Sequence, residues 1–251
     1  MTKILKYLYT AWAVFWVIFI FLLIFPITFI CLQKEQWKPY AHYLNRVWGK
    51  IYFFMIGIPL EIEYKQQLDS KKAYVFCFNH FSYIDIAVFG MVIKNYTAFV
   101  GKSDLKGIPL FGYMFAKLHI QVDRSNKNSR IKSLSKSIKA LQNGRSIAIA
   151  PEGGIKYKNF PTMHTPLKDG AFAMAIQQQV PIVPISYLNN HEILDSNKML
   201  NRKPIKVIVH EAISTQGMTN DDLETLKAQT LEVIQTALNQ AHKHQAKAVI
   251  L

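Results

Sequence analysis

From Tyr7 to Leu32 the chain carries no charged side chain, and the run is dense in Phe, Ile, Leu and Trp. A helix rises about 1.5 Å per residue, so about 20 such residues match the hydrocarbon core of a bilayer. Three structures compete for a segment of this kind. A cleavable signal has an apolar core of roughly 7–15 residues and a small-residue cleavage site. This run is longer and ends in Phe29-Ile30-Cys31-Leu32-Gln33. A core helix of a soluble protein keeps a polar face, which this run lacks. A membrane anchor is the expected outcome. Pro26 either kinks one spanning helix or separates two helices that dip into one leaflet, and the sequence fits both.

Charge is the second constraint. Thirty Lys and Arg against sixteen Asp and Glu give a net +14 with neutral histidines. Such a field attracts nucleic acid, anionic lipid or phosphorylated substrates. No helix-turn-helix, zinc-finger or RNP-like pattern is present, so no nucleic-acid partner is expected. Beside an anchor, membrane lipids are the simpler partner. Lys34, Lys38, Arg46 and Lys50 follow the apolar run and only Lys3 and Lys6 precede it, a bias that places the main domain on the cytoplasmic face. Pro39–Pro59, rich in aromatic and basic residues, reads either as an interfacial amphipathic segment or as the first core helix of the domain. The two cysteines, Cys31 and Cys77, both sit in apolar runs. They indicate no disulfide framework, and a reducing compartment fits. Cys77 in a short buried run reads as core rather than as a nucleophile.

Beyond residue 60 short apolar runs alternate with helical periodicity. Strands are expected at Tyr74–Phe78, Ala98–Val100, Ile120–Val122, Ser146–Ala150, Ile182–Ile185 and Ile205–Val209, each bounded by polar or turn residues. Asn128–Leu141 places Ile131, Leu134, Ile138 and Leu141 on one helical face, with Asn143-Gly144 as its stop. A last helix starts at Asn220, with Asp221 and Asp222 beside the positive end of its dipole and Leu223, Leu226, Val233 and Leu238 on its apolar face. Strands apolar on both faces, alternating with helices, predict an α/β fold. A mixed central sheet flanked by helices follows an N-terminal hydrophobic membrane-anchor helix or helix pair. The expected division is an anchor and interfacial helix over residues 1–60 and one domain over 61–251.

The sharpest local feature is Asn79-His80-Phe81-Ser82-Tyr83-Ile84-Asp85, between the strand ending at Phe78 and the helical run from Ile84. Histidine exchanges protons near neutral pH. A carboxylate accepting from one ring nitrogen fixes the tautomer and leaves the other nitrogen free as a general base. On one continuous helix, residues five apart point about 140° away from each other. His80 must therefore lie in the turn and Asp85 in the first helical turn for the two to meet. The plainer reading is that Ser82-x-x-Asp85 is a capping box.

Further blocks follow in order: Lys102-Ser-Asp-Leu-Lys-Gly-Ile-Pro109-Leu-Phe-Gly112, Val122-Asp123-Arg124-Ser125, Ala150-Pro151-Glu152-Gly153-Gly154 and Val180-Pro181-Ile-Val-Pro184. With His80 and Asp85 at its head, this series over Val75–Glu211 resembles the glycerolipid acyltransferase family, whose members acylate glycerol 3-phosphate, lysophosphatidic acid or other lysolipids. The resemblance implies His80 as catalytic base and Asp85 as the residue that orients it. It further implies direct transfer from acyl-CoA or acyl carrier protein to a hydroxyl of a lysophospholipid acceptor. No acyl-enzyme, cofactor or metal takes part. Arg124 matches the family's phosphate-holding arginine, with an ion pair to Asp123 as the alternative, and Glu152 and Gly153 match the block that shapes the acceptor site.

One block departs from the pattern. The family commonly continues Glu-Gly-Thr-Arg, and this chain reads Glu152-Gly153-Gly154-Ile155-Lys156. Lys156, Lys158 or Lys102 could replace the missing cation. His119, His164, His191 and His210 form no metal-ligand spacing. No Gly-x-Ser-x-Gly elbow of a serine esterase is present. The expected activity is acylation of 1-acylglycerol 3-phosphate (lysophosphatidic acid) to phosphatidic acid. The alternatives are another lysolipid acceptor, such as an amino-acid-derived one, or a non-catalytic lipid-binding protein.

Overall fold

A computed structural model of the chain describes residues 3–155, 161–195 and 197–243. The uncharged run forms one helix, α1 (Lys3–Cys31), continuous through Pro26. A short turn leads to α2 (Lys38–Met55), which opens with Pro39 in its first turn, where no backbone hydrogen bond is lost. Ala41, His42, Gly49, Tyr52 and Phe53 of α2 are buried, whereas Tyr40, Tyr43 and Phe54 are exposed. The core-helix reading of Pro39–Pro59 thus holds for one face of α2, and the other face presents exposed aromatic residues.

The rest alternates strands and helices: β1 (Leu60–Tyr64), β2 (Val75–Phe78), α3 (Ile84–Val92), β3 (Thr97–Lys102), α4 (Phe111–Leu118), β4 (Ile120–Val122), α5 (Lys127–Gln142), β5 (Ser146–Ile149), α6 (Gly170–Gln178), β6 (Ile182–Tyr187), α7 (Asn190–Ile193), β7 (Ile205–Val209) and α8 (Leu223–Ala241). Every strand read from the sequence is present, with small shifts at its ends. β1 was not anticipated. Its Leu-Glu-Ile-Glu-Tyr pattern leaves Glu61 and Glu63 exposed at the sheet edge, so it lacks the apolar continuity of the strands that helices cover on both faces. The last helix also starts differently from the expectation. Thr219, not Asn220, caps the 3-10 turn Asn220–Asp222 that leads into it, in a capping box with Asp222, and Ile234 rather than Val233 is the fully buried aliphatic residue of its central turns.

The sheet has seven strands in the order β1-β7-β6-β2-β5-β3-β4. All neighbours are parallel except β6 and β7. One face packs Phe76, Phe78, Val183 and Ile185 against α1, α2 and α3. The other packs Val75, Cys77, Ile147 and Ile182 against α5, α6 and α8. Because β2, β5, β3 and β4 run parallel as neighbours, their carboxyl ends lie along one sheet edge, and their following loops converge there. The blocks singled out in the sequence sit at those ends: His80 after β2, Lys102 at the end of β3, Arg124 after β4 and Glu152 after β5.

Candidate active site

β2 is buried along its whole length, which fixes the start of the turn that follows it. Asn79 then locks the turn across the sheet. Its amide donates to the Tyr187 carbonyl at 2.9 Å and its oxygen accepts from the Tyr187 N–H at 2.8 Å. His80 lies in this turn and Asp85 in the first turn of α3, the placement their contact requires. His80 Nδ1 is 2.8 Å from Asp85 Oδ2.

Asp85 is fully buried, and each of its oxygens accepts hydrogen bonds. Oδ2 also accepts from the backbone N–H of Phe81 and of Ser82, each at 3.1 Å. Oδ1 accepts from the Asn190 amide at 2.8 Å. The capping-box reading is half fulfilled: the carboxylate reaches back to the loop N–H groups, but the Ser82 hydroxyl donates to the Leu194 carbonyl at 3.3 Å instead of capping the helix. Capping and orientation are thus one function here. With Oδ2 as an acceptor, the proton lies on Nδ1, and Nε2 is left with its lone pair. The His80 side chain is 12% exposed, so the free edge reaches the surface of the site.

Glu152 is buried, and both of its oxygens are engaged. Oε1 accepts from the His80 N–H at 2.8 Å and Oε2 from the His164 N–H at 2.7 Å. Burial pushes its carboxyl pKa up, against the pull of those two hydrogen bonds. The carboxylate ties the loop after β5 to the turn that carries His80. It also lines a cavity of about 650 Å³ whose polar end holds Arg124, Gly153 and Lys168 and whose apolar wall includes Val122, Leu134, Ile149 and Met174.

Arg124 donates through Nη1 to the Gly153 carbonyl and forms no ion pair with Asp123, which instead accepts from Ser125. Gly153 has φ +81 and Gly154 φ +154, conformations that favour glycine. A β-carbon on Gly154 would lie 3.0 Å from Arg124 Nη1. The glycine at the departure from the family pattern therefore makes room for the guanidinium. Lys156 and Lys158 lie outside the described residues. Lys102 is mostly exposed and pairs with Asp104, at the site's rim rather than in the cavity.

Three contributors had no signal in the sequence reading. Asn190, the first residue of α7, reaches Asp85, Lys168 lies over Gly153 with its Cγ 3.6 Å from where a β-carbon would stand, and Arg130 joins Lys168 in the cavity wall. Lys168 has no ion-pair partner among the described residues, because neighbouring Asp169 pairs with Lys227 at 2.9 Å. The remaining histidines are dispersed. His119 Nδ1 accepts from the Phe99 N–H at 3.3 Å, and His210 lies 2.8 Å from the Ser186 hydroxyl. His164 is half-buried. Among the described residues no cluster of three metal-ligating side chains occurs. Cys77 is fully buried and burial pushes its thiol pKa up, so it is core.

Comparisons with known proteins place the chain in a family. The acyltransferase family model matches residues 59–188. An uncharacterized acyltransferase of Schizosaccharomyces pombe is 30% identical over 74% of this chain and 66% of its own length. The 1-acyl-sn-glycerol-3-phosphate acyltransferase of Saccharomyces cerevisiae is 30% identical over 67% of this chain and 56% of its own length. The protein of that name from Haemophilus influenzae is 26% identical over 80% of this chain and 83% of its own length. This chain thus spans between about half and two-thirds of the lengths of the two yeast proteins. Among solved structures, the 1-acyl-sn-glycerophosphate (LPA) acyltransferase PlsC of Thermotoga maritima superposes with a TM-score of 0.77 at 20% identity, covering 96% of this chain and 97% of its own. That coverage takes in the N-terminal helix pair as well as the sheet. A histidine oriented by a buried aspartate at the end of β2, within a stretch that matches the family model over more than half of the chain, makes this protein a member of the acyltransferase family.

Proposed function

We propose that the protein transfers a fatty acyl group from acyl-CoA or acyl carrier protein to the free hydroxyl of 1-acylglycerol 3-phosphate, giving phosphatidic acid. The observation that carries this reading is the His80–Asp85 contact at 2.8 Å, which leaves Nε2 as a base. His80 Nε2 takes the hydroxyl proton as the oxygen attacks the thioester carbonyl. The tetrahedral oxyanion then collapses, the C–S bond breaks, and the proton passes from the imidazolium to the leaving thiolate. Proton transfer of this kind supplies roughly 10²–10⁴-fold. Asp85 stabilises the imidazolium that forms between the two transfers. Arg124, which burial holds below the usual arginine pKa but leaves cationic, supports a phosphorylated acceptor, as do the names of the relatives.

The N-terminal region supports delivery of that acceptor from a membrane. We read residues 1–60 as the anchor and interfacial helix and 61–251 as the acyltransferase domain on the cytoplasmic face. α1 is tied to the domain near both ends and to α2 in its middle. Lys6 pairs with Asp195 at 2.6 Å, Trp48 Nε1 donates to the Val17 carbonyl at 3.3 Å, and Gln33 donates to the Tyr113 hydroxyl at 3.2 Å. These tethers support a helix that lies along the membrane rather than one that stands across the bilayer with the domain beyond one face. It lies in one leaflet, with Leu8, Phe15, Phe19, Leu23 and Ile30, all exposed on the protein, in the lipid.

The test is acyl transfer by the purified protein in lipid across a panel of lysolipid acceptors, wild type against His80→Ala. Acylation of 1-acylglycerol 3-phosphate that the variant loses by at least 10²-fold, with an unchanged melting curve, is the expected result. Acylation of a different lysolipid alone would remove this acceptor and keep the enzyme. Equal inactivity of both proteins on every acceptor, with lipid binding intact, would sink the catalytic reading.

A further inference from the structure

Between β3 and α4 the chain makes a tight projecting turn, Lys106–Leu110, in which every residue is exposed. Ile108 is 48% and Leu110 42% exposed, two large apolar side chains on either side of Pro109. The turn is rigid. Ile108 N–H donates to the Leu105 carbonyl at 3.3 Å, Gly112 N–H to the Ile108 carbonyl at 2.7 Å and Met114 N–H to the Leu110 carbonyl at 3.0 Å. A β-carbon at Gly112 would stand 2.2 Å from the Lys106 carbonyl oxygen, so the turn closes on a glycine. Leu110 adopts φ +59 and ψ −51, a backbone conformation costly for a branched residue and maintained where surrounding structure imposes it. A fold that holds a leucine there, pointing partly to solvent, gains only partial packing in return.

The surroundings identify what the tip faces. The Phe111 ring lies 6.4 Å from that of Phe21 of α1, and Tyr113 lies 5.5 Å from Phe29. The tip is therefore continuous with the exposed apolar flank of α1. Two cations lie on the same segment: Lys106 at the start of the tip, and Lys117 further along α4 with its ammonium 5.8 Å from the Tyr113 ring. Apolar side chains at a rigid apex with lysines one step back match the layering of an anionic lipid surface. A short 3-10 helix, Ser103–Gly107, joins this tip to β3, whose last residue, Lys102, stands at the rim of the active site.

We propose that Ile108 and Leu110 form a second membrane contact, a wedge that inserts into the leaflet occupied by α1 and seats the active-site rim on the lipid surface. This inference rests on α1 lying in one leaflet, and its test separates the two.

An environment-sensitive dye on Ile108→Cys, in a Cys31→Ser background with Cys77 buried, is compared with the same dye on Ile18→Cys of α1. Both proteins are placed in vesicles of phosphatidylcholine and phosphatidylglycerol carrying acyl-chain spin labels. Quenching of both dyes, with both shielded from aqueous iodide, is expected. Quenching at Ile18 but iodide access at Ile108 overturns the wedge and leaves α1 in the membrane. Failure of lipid quenching at both sites overturns the leaflet placement of α1 and the wedge with it. Disulfide-linked dimers of Ile108→Cys without lipid quenching would assign the tip to a second copy of this chain and also overturn the proposal. The double substitution Ile108→Asn, Leu110→Asn should lower turnover of vesicle-presented acceptor by about tenfold while leaving detergent-dispersed acceptor unaffected. An equal loss in both assays would mean that the turn acts inside the site and not on the membrane.

Discussion

Asn190 donates to Oδ1 of Asp85 at 2.8 Å from a position 105 residues further along the chain. Through this bond the segment after β6 fixes the rotation of the carboxylate that fixes the imidazole. Both residues are buried, so water does not readily substitute for the lost donor.

Asn190→Leu, similar in volume, removes the donor and leaves the pocket filled. Asp85 Oδ1 then has no donor from this side, and the His80 ring loses its fixed angle. A small misplacement of a catalytic group can cost about 10²-fold. The expected result is a fall in kcat of roughly ten- to hundredfold with KM for either substrate nearly unchanged. Steady-state kinetics alongside a melting curve check it. A loss confined to KM would show that Asn190 contacts substrate instead.

The sheet and the His80–Asp85 contact were legible because burial on both faces writes strands as apolar runs, and because the two residues are separated by one tight turn. The long-range supports were not. Asn190 and Asn79 act across the sheet, on Asp85 and on Tyr187 respectively, and nothing local in Leu188-Asn189-Asn190 distinguishes a carboxylate partner from a loop residue. Glu152 was found as a site residue, but its two backbone donors, His80 and His164, come from opposite sides in the sequence. β1 was hidden by its glutamates. The course of α1 along the domain depends on Asp195, Trp48 and Tyr113, none of which its own composition predicts.

Lys168 projects beside Gly153 without an ion-pair partner among the described residues, and Arg124 approaches the same turn from the other side. A phosphorylated acceptor held between them would lose one charged hydrogen bond in Lys168→Ala, worth about 1.5–3 kcal/mol. KM for the acceptor should rise roughly tenfold or more with kcat little changed, and Lys168→Arg should restore most of it. KM for the acyl donor should stay constant. If the donor's KM moves and the acceptor's does not, the cavity belongs to the donor.

His42 of α2 is buried against the domain, its ring edge-on to Tyr96 at 5.6 Å. Burial, then the charges of Arg46 and Arg145, push its pKa down to about 4. The unfolded chain regains a value near 6.5 and so binds the proton first. The stabilising contribution is therefore complete above pH 6.5 and is lost as pH falls from there toward 4. Between pH 7 and pH 5 this one group should remove about 2 kcal/mol of stability. Denaturant melts in detergent at both pH values measure it, and His42→Gln should show a smaller difference. His119, also held down by burial, supplies a similar slope that remains in the variant. An unchanged slope in His42→Gln would mean that water reaches the ring.

Leu110 offers a test in which stability and function move in opposite directions. Its φ of +59 costs a non-glycine residue about 1–3 kcal/mol, and a glycine there meets no such penalty. The side chain is 42% exposed, so its removal gives up only part of a leucine's packing, and the freedom a glycine adds to the unfolded chain offsets about 1 kcal/mol. Leu110→Gly should melt no lower than wild type and up to about 2–4 °C higher, yet turn over vesicle-presented acceptor more slowly. Leu110→Ala is the control: it loses the same apolar surface and keeps the backbone strain, so it should match the glycine variant on vesicles without gaining stability. If Leu110→Gly melts well below both, the leucine's contacts hold the turn and its backbone stores no strain. If both variants keep full activity on vesicles, the strain is present but serves some purpose other than presenting this side chain to lipid.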